Sequence, residues 1–97
     1  MKTYELQFLV SAKKEWDKLD NTVRQQLKRK LVERLANPRV ESARLATMPD
    51  CYKIKLVSSG YRLVYQVVDR KITVVVIAIG KRERKAVYSI ALGRVPQ

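Results

Sequence analysis

Lys53, Lys55 and Arg62 sit in the run Lys53-Ile-Lys55-Leu-Val-Ser-Ser-Gly-Tyr-Arg62-Leu-Val-Tyr, which is answered further on by Gly80-Lys81-Arg82-Glu83-Arg84 and then Val87-Tyr88. In the first run cations alternate with apolar residues at strand spacing. Lys53 and Lys55 therefore project from one face while Tyr52, Ile54 and Leu56 project from the other. A cationic face mounted on a rigid sheet is a phosphate site in outline. With no histidine in the chain, the chemistry is limited to what lysine, arginine and tyrosine supply. Guanidinium forks hold a phosphate and stabilise the added charge of a pentavalent transition state. Cations packed closely disfavour one another's charged form, and a neutral lysine is a usable general base. A tyrosine stacks on an unpaired base or orients a hydroxyl.

These residues need a sheet of defined register. In the second strand Tyr61, Leu63, Tyr65 and Val67 form one apolar series, which leaves Arg62, Val64 and Gln66 on the opposite face. Placing Arg62 beside the lysines requires an even-numbered loop such as Ser58-Ser59, and that sets Lys55 across from Arg62 with Cβ atoms about 5 Å apart. Tyr52, Tyr61 and Tyr65 are expected in the core. Glu83, between Arg82 and Arg84, reads as a local charge partner. Lysines on an exposed strand face also serve solubility or edge protection, so the pattern alone leaves that role open.

The rest of the chain supplies the frame. Tyr4-Glu-Leu6-Gln-Phe8 alternates as a half-buried strand. Ser11 is placed to cap a short helix whose Ala12, Trp16 and Leu19 share a buried face. Asp20-Asn-Thr22 offers a second cap, and Thr22 with Gln25 fits a capping box. Val23, Leu27, Leu31 and Leu35 then stripe a longer helix that Asn37-Pro38 ends. Arg24, Lys28, Arg29, Lys30 and Arg34 are expected on its outer face, as a solvated surface or as a contact for an acidic partner or an rRNA backbone. Three strands follow, at Cys51 to Leu56, Tyr61 to Val68 and Ile72 to Ile79, the last apolar on both faces and so central or covered. A C-terminal helix is expected around Ala86 to Leu92. The fold class is α+β: one small domain, residues 1–97, with an N-terminal strand and two-helix hairpin packed on an antiparallel sheet completed by a three-strand meander and a short helix.

Charge narrows the partners. The chain has 97 residues and a net charge of +12. Residues 1–50 hold 11 basic and 7 acidic side chains, whereas residues 51–97 hold 10 and 2, so any electrostatic function lies in the second half. Such an imbalance costs stability through self-repulsion and suits a polyanion, nucleic acid foremost. No apolar run approaches the ~20 residues of a membrane span, and a membrane partner is not expected. The single cysteine, Cys51, and the lack of an apolar h-region at the N-terminus point to a reducing, cytoplasmic setting. Without a histidine to activate it, Cys51 reads as a small strand residue, and no metal or other cofactor is expected.

At Lys-Glu-Trp16, Met48-Pro-Asp-Cys-Tyr-Lys-Ile-Lys-Leu56, Ser58-Ser-Gly-Tyr-Arg-Leu-Val-Tyr-Gln-Val67, Gly80-Lys-Arg-Glu-Arg84 and Val87-Tyr88 the chain resembles the RelE family, ribosome-dependent mRNA endonuclease toxins of bacterial toxin–antitoxin pairs. The resemblance implies entry into the ribosomal A site and cleavage of the mRNA codon there, with the RNA's own 2′-hydroxyl as nucleophile. It assigns Lys53 and Lys55 as the basic pair with Lys55 the general base, Arg62 as transition-state clamp, Arg82 as phosphate ligand and general acid, and Tyr88 as the residue that stacks on the codon. Arg44, Lys81 and Arg84 are expected to contact RNA. The implied partners are a cognate acidic, RelB-like antitoxin, the 70S ribosome with mRNA and 16S rRNA, and operator DNA through the antitoxin complex alone. Two positions depart from the family pattern. Ala46 and Thr47 follow Leu45 where a basic residue and glycine are usual, and Val57 stands where arginine commonly precedes Ser-Ser-Gly. Each removes a possible RNA contact, which leaves open both an attenuated toxin with lower ribosome affinity or rate and ordinary natural variation, with Arg44 placed to compensate in part.

Two other functions compete. A non-catalytic basic module binding RNA or an acidic protein would use the same charge. A gyrase-poisoning relative of the same superfamily would have no use for the basic set with Tyr88.

Overall fold

The computed structural model describes residues 3–81 and 86–95. Four strands, β1 (Glu5–Phe8), β2 (Cys51–Lys55), β3 (Tyr61–Val68) and β4 (Thr73–Lys81), form one sheet in the order β1-β4-β3-β2. The three strands of the second half are antiparallel neighbours, as the short connections between them dictate. The first strand joins at the far edge and runs parallel to β4, with Glu5 opposite Thr73 and Phe8 opposite Val76. The sheet is therefore mixed, a detail that alternation within β1 does not reveal.

Helices α1 (Val10–Asp17) and α2 (Asn21–Ala36) cover one face. Val23, Leu27 and Leu31 of α2 meet Tyr52, Ile54, Leu63, Tyr65, Val67, Val74 and Val76 there. Helix α3 (Ala86–Arg94) covers the other face, where Val87, Ala91 and Val95 pack on Cys51, Val64, Ile77 and Ala78. Strand β4 lies between two strands and under helices on both sides, which explains its unbroken apolar run. Among the described residues no helix is long and apolar enough to cross a membrane.

Local details depart from the expected pattern. Ser11 lies inside α1 and caps nothing, because the chain passes straight from strand to helix. Leu9 N–H still donates to Val76 in the sheet at 3.1 Å while its carbonyl already accepts from Lys13 at 2.9 Å. Asp20, rather than a Thr22–Gln25 box, caps α2 by accepting from Thr22 N–H at 3.2 Å. Trp16 is half-buried at the sheet margin, tilted against Phe8 with ring centroids 5.3 Å apart. Arg24 folds back to donate to the Leu19 carbonyl at 3.1 Å, so it does not decorate the outer face.

Arg34 also turns inward. Its Nη1 donates to the Lys53 carbonyl at 3.1 Å and to Tyr65 Oη at 2.8 Å, and Tyr65 in turn donates to the Pro38 carbonyl at 2.6 Å. One guanidinium thus ties the end of α2 to the outer edge of β2. On the opposite side Glu15 of α1 and Arg94 of α3 form a two-pronged ion pair at 3.0 and 3.1 Å. Glu15 also accepts from Ile79 N–H at 3.1 Å and Arg94 donates to the Ile77 carbonyl at 2.9 Å. The pair thereby satisfies the part of β4 that extends beyond the residues paired with β1.

Candidate active site

The meander places Lys53, Lys55 and Arg62 on one face. Lys55 stands directly opposite Arg62, Lys53 opposite Val64 and Cys51 opposite Gln66. The connecting loop is longer than Ser58-Ser59. Leu56 N–H still donates to the Tyr61 carbonyl at 2.9 Å, so the loop proper is Val57 to Gly60, closed by a bond from Gly60 N–H to the Leu56 carbonyl. Four residues have the same parity as two, and the pairing is preserved. Gly60 takes a φ of 76°, a left-handed conformation that glycine enters without strain.

Strand β3 then hands the arrangement to β4 and α3. Arg62 pairs with Gly80, and its Nη1 lies 3.5 Å from Tyr88 Oη, a long contact at the limit of a hydrogen bond. Tyr88 is half-buried against the α3 side of the core. Two cations from β2, a guanidinium from β3 and a phenol from α3 thus share one face, each carried by a hydrogen-bonded element. Cys51, on the same face of β2, is fully buried, and burial together with the neighbouring Asp50 carboxylate pushes its thiol up to about 11. It is structural, as its lack of an activating base suggested. Among the described residues no group of histidine, cysteine or carboxylate side chains is set to hold a metal ion.

Lys81 does not join this face. The β3–β4 register shifts between Val64 and Tyr65, so that Ala78 pairs with Val64 whereas Val76 pairs with Tyr65, and Ile77 is the extra residue. A bulge of this kind reverses the alternation beyond it. Lys81 therefore lies opposite Tyr61 on the α1/α2 side, its Nζ 5.6 Å from the centre of the Tyr61 ring. Arg44 is exposed near the outer edge of β2, where it pairs with Glu41 at 3.2 Å. Arg82 and Arg84 lie outside the described residues. Ala46 and Val57 are both exposed, Val57 at the tip of the hairpin.

The model for the ParE toxin of type II toxin–antitoxin systems matches residues 6–86. Over 92 residues the chain is 63% identical to mRNA interferase toxin RelE of Escherichia coli K12, covering 95% of this chain and 97% of that protein. It belongs to the RelE family of toxins. The fold agrees: the free form of an Arg-to-Ala double mutant of E. coli RelE superposes with a TM-score of 0.90 at 60% identity, covering 97% of this chain and 99% of that one. RelE in the intact E. coli RelBE toxin–antitoxin complex gives 0.81 at 64% identity over 84% of this chain and 99% of its own. Two residues that hold this face in place carry contacts the sequence does not mark. Arg34 anchors Lys53 through its carbonyl, and Arg94 anchors the helix that carries Tyr88. Arg34 was visible as part of the α2 cation series, but Arg94 and Glu15 carry no local signal.

Proposed function

We propose that this chain is an mRNA interferase, a ribosome-dependent endoribonuclease that cuts mRNA in the A site and is held in check by an acidic, RelB-like antitoxin in the bacterial cytoplasm. The observation that carries the reading is the shared face of Lys53, Lys55, Arg62 and Tyr88 in a chain this close to RelE. In the reaction Lys55 takes the proton from the substrate's 2′-hydroxyl, and the freed oxygen attacks the adjacent phosphorus in line. Lys53 and Arg62 hold the phosphoryl oxygens as negative charge builds. The bond from phosphorus to the 5′-oxygen breaks, Arg82 supplies the proton to that leaving oxygen, and a 2′,3′-cyclic phosphate remains. Tyr88 stacks on the codon and keeps the attacking hydroxyl aligned. Lysine and arginine are weak acid–base groups, so the reaction relies on the ribosome to hold the codon in reactive geometry.

The gyrase-poisoning reading is not favoured, since the identity runs to an interferase and the basic set is intact. In this reading the complex with its antitoxin also binds operator DNA and represses its own synthesis. Single-turnover cleavage on programmed ribosomes tests the proposal. The expected products are a 2′,3′-cyclic phosphate and a 5′-hydroxyl, formed in EDTA as far as the ribosome tolerates it, with a 2′-deoxy sugar at the cut site abolishing cleavage. Recovery of a 5′-phosphate, or equal cleavage of the deoxy substrate, rules the mechanism out.

A further inference from the structure

Between α2 and the outer edge of β2 runs a groove with two lobes. One lobe, of about 610 Å³, takes in Arg29, Lys30 and Lys55, with Glu33 as its acid, and opens toward Val57 and Ser58 of the hairpin. The other, of about 320 Å³, takes in Lys30, Arg34, Lys53 and Lys55. The lobes share Lys30 and Lys55 and so form one path. Helical spacing creates this lining. Positions 26, 30, 33 and 34 lie on the side of α2 that borders the sheet edge, beside the buried stripe of Val23, Leu27 and Leu31.

Resting on the interferase reading above, we infer that this groove holds the stretch of substrate RNA adjoining the cleaved codon, as a single strand crossing the β2 edge from the face of Lys53, Lys55 and Arg62 to α2. The continuity of the groove with Lys53 and Lys55 is the first reason. A strand whose scissile phosphate sits among those residues meets Lys30 and Arg29 next along the same path. Size is the second: each lobe holds a few hundred cubic ångströms between one helix and one strand edge, the scale of single nucleotides rather than of a duplex. Charge is the third: among the described residues that line the lobes, Arg29, Lys30, Arg34, Lys53 and Lys55 are set against the Glu33 carboxylate. Arg34 is already committed to the Lys53 carbonyl and Tyr65, so it acts as the floor that fixes the edge, while Arg29 and Lys30, both exposed, are the phosphate ligands.

The test uses the full chain and a fluorescein-labelled, 2′-O-methylated single-stranded RNA, which it cannot cleave, read by anisotropy across a salt series. The double variant Arg29→Glu/Lys30→Glu should weaken binding at least tenfold and reduce the log–log salt slope by about 1.4, the loss of two single-strand phosphate contacts. Lys30→Gln alone should give a smaller loss in the same direction. Lys18→Glu/Lys28→Glu, which reverses two exposed lysines outside the groove and so matches the charge change, controls for net charge and should change affinity less than about threefold. Arg29→Glu/Lys30→Glu affinity no lower than that of the Lys18→Glu/Lys28→Glu control overturns the inference. Equal loss on an RNA duplex also overturns it, assigning the surface to a helix such as one of ribosomal RNA, and so does displacement of the RNA by poly-glutamate at equal charge, which would mark a generic acid site. Cleavage of translated mRNA by the unaltered chain is scored separately. If that fails, the interferase reading falls and the inference falls with it, whereas intact cleavage with unaffected oligonucleotide binding in the Arg29→Glu/Lys30→Glu variant refutes the groove alone.

Discussion

Replacing Glu15 with alanine should destabilise the fold far more than a residue on a short surface helix normally would. Its carboxylate holds both prongs of Arg94 and the Ile79 amide, so the variant leaves a guanidinium and a strand N–H without their acceptor. The side chains of Arg94 and Glu15 are 24% and 27% exposed, between the fully buried and surface limits. Breaking a buried pair costs about 3 to 5 kcal/mol and an exposed one about 0 to 1, so a loss of about 2 to 3 kcal/mol is expected here. For a domain of this size that corresponds to a fall in Tm of roughly 10 to 20 °C. Arg94→Met should cost less, since Glu15 keeps the Ile79 amide, and the double variant should cost less than the sum of the two. Lys13→Ala is the internal control. Its partner Asp17 lies one turn away and both side chains are more than half exposed, so about 0.5 kcal/mol or less is expected. Urea unfolding of the four variants decides the matter. Equal losses for Glu15→Ala and Lys13→Ala would show that the contact does not anchor α3, and with it the argument that α3 positions Tyr88 through Arg94 would fail.

Lys55→Ala, Arg62→Ala and Arg82→Ala should each lower single-turnover cleavage by roughly a hundredfold or more while leaving ribosome binding little changed; near wild-type rates in all three would refute the site assignment. Asp69 accepts from Tyr4 at 2.6 Å and Arg39 at 2.7 Å, and the Tyr4 hydroxyl and the Arg39 guanidinium hold its carboxyl below the ordinary 3.8. The resulting stability is present above pH 3.8 and lost as pH falls through the depressed value, so Asp69→Asn should flatten the acid limb of a urea-stability profile; an unchanged limb counts against the contact. Cys51, with its thiol pushed up to about 11, should react with a thiol reagent at neutral pH only as fast as the protein opens, and rapid labelling of the native chain would contradict its burial.

The limits of β3 and the pairing of Lys55 with Arg62 were legible because alternation there is strong and because a loop's parity, not its length, decides which side chains share a face. The face of Lys81 was not. Residues 74–79 are all apolar, so nothing in the pattern marks the extra residue at Ile77 that reverses the alternation before Gly80. The inward turn of Arg34 was hidden for a different reason: its partners Lys53 and Tyr65 lie in other elements, while the helix by itself shows only one more cation. The same holds for Glu15 and Arg94, which sit near opposite ends of the chain. Asp20-Asn-Thr22 contained the correct cap for α2, and the capping-box spacing pointed to the wrong member of it.

The sheet order also governs when the molecule can come into being. Glu5 waits for Thr73 and Phe8 for Val76, so the first strand made finds its neighbour only after most of the chain exists. The strand it awaits is the one that β3 also needs and that both helical layers pack against. No earlier fragment holds a complete sheet, and the helix bearing Tyr88 is later still. While residues beyond the fourth strand are still inside the exit tunnel, the nascent chain has a basic hairpin but not the face that Tyr88 completes. The face of Lys53, Lys55, Arg62 and Tyr88 is thus the last part of the molecule to assemble, and nearly the whole chain must emerge before those residues can meet.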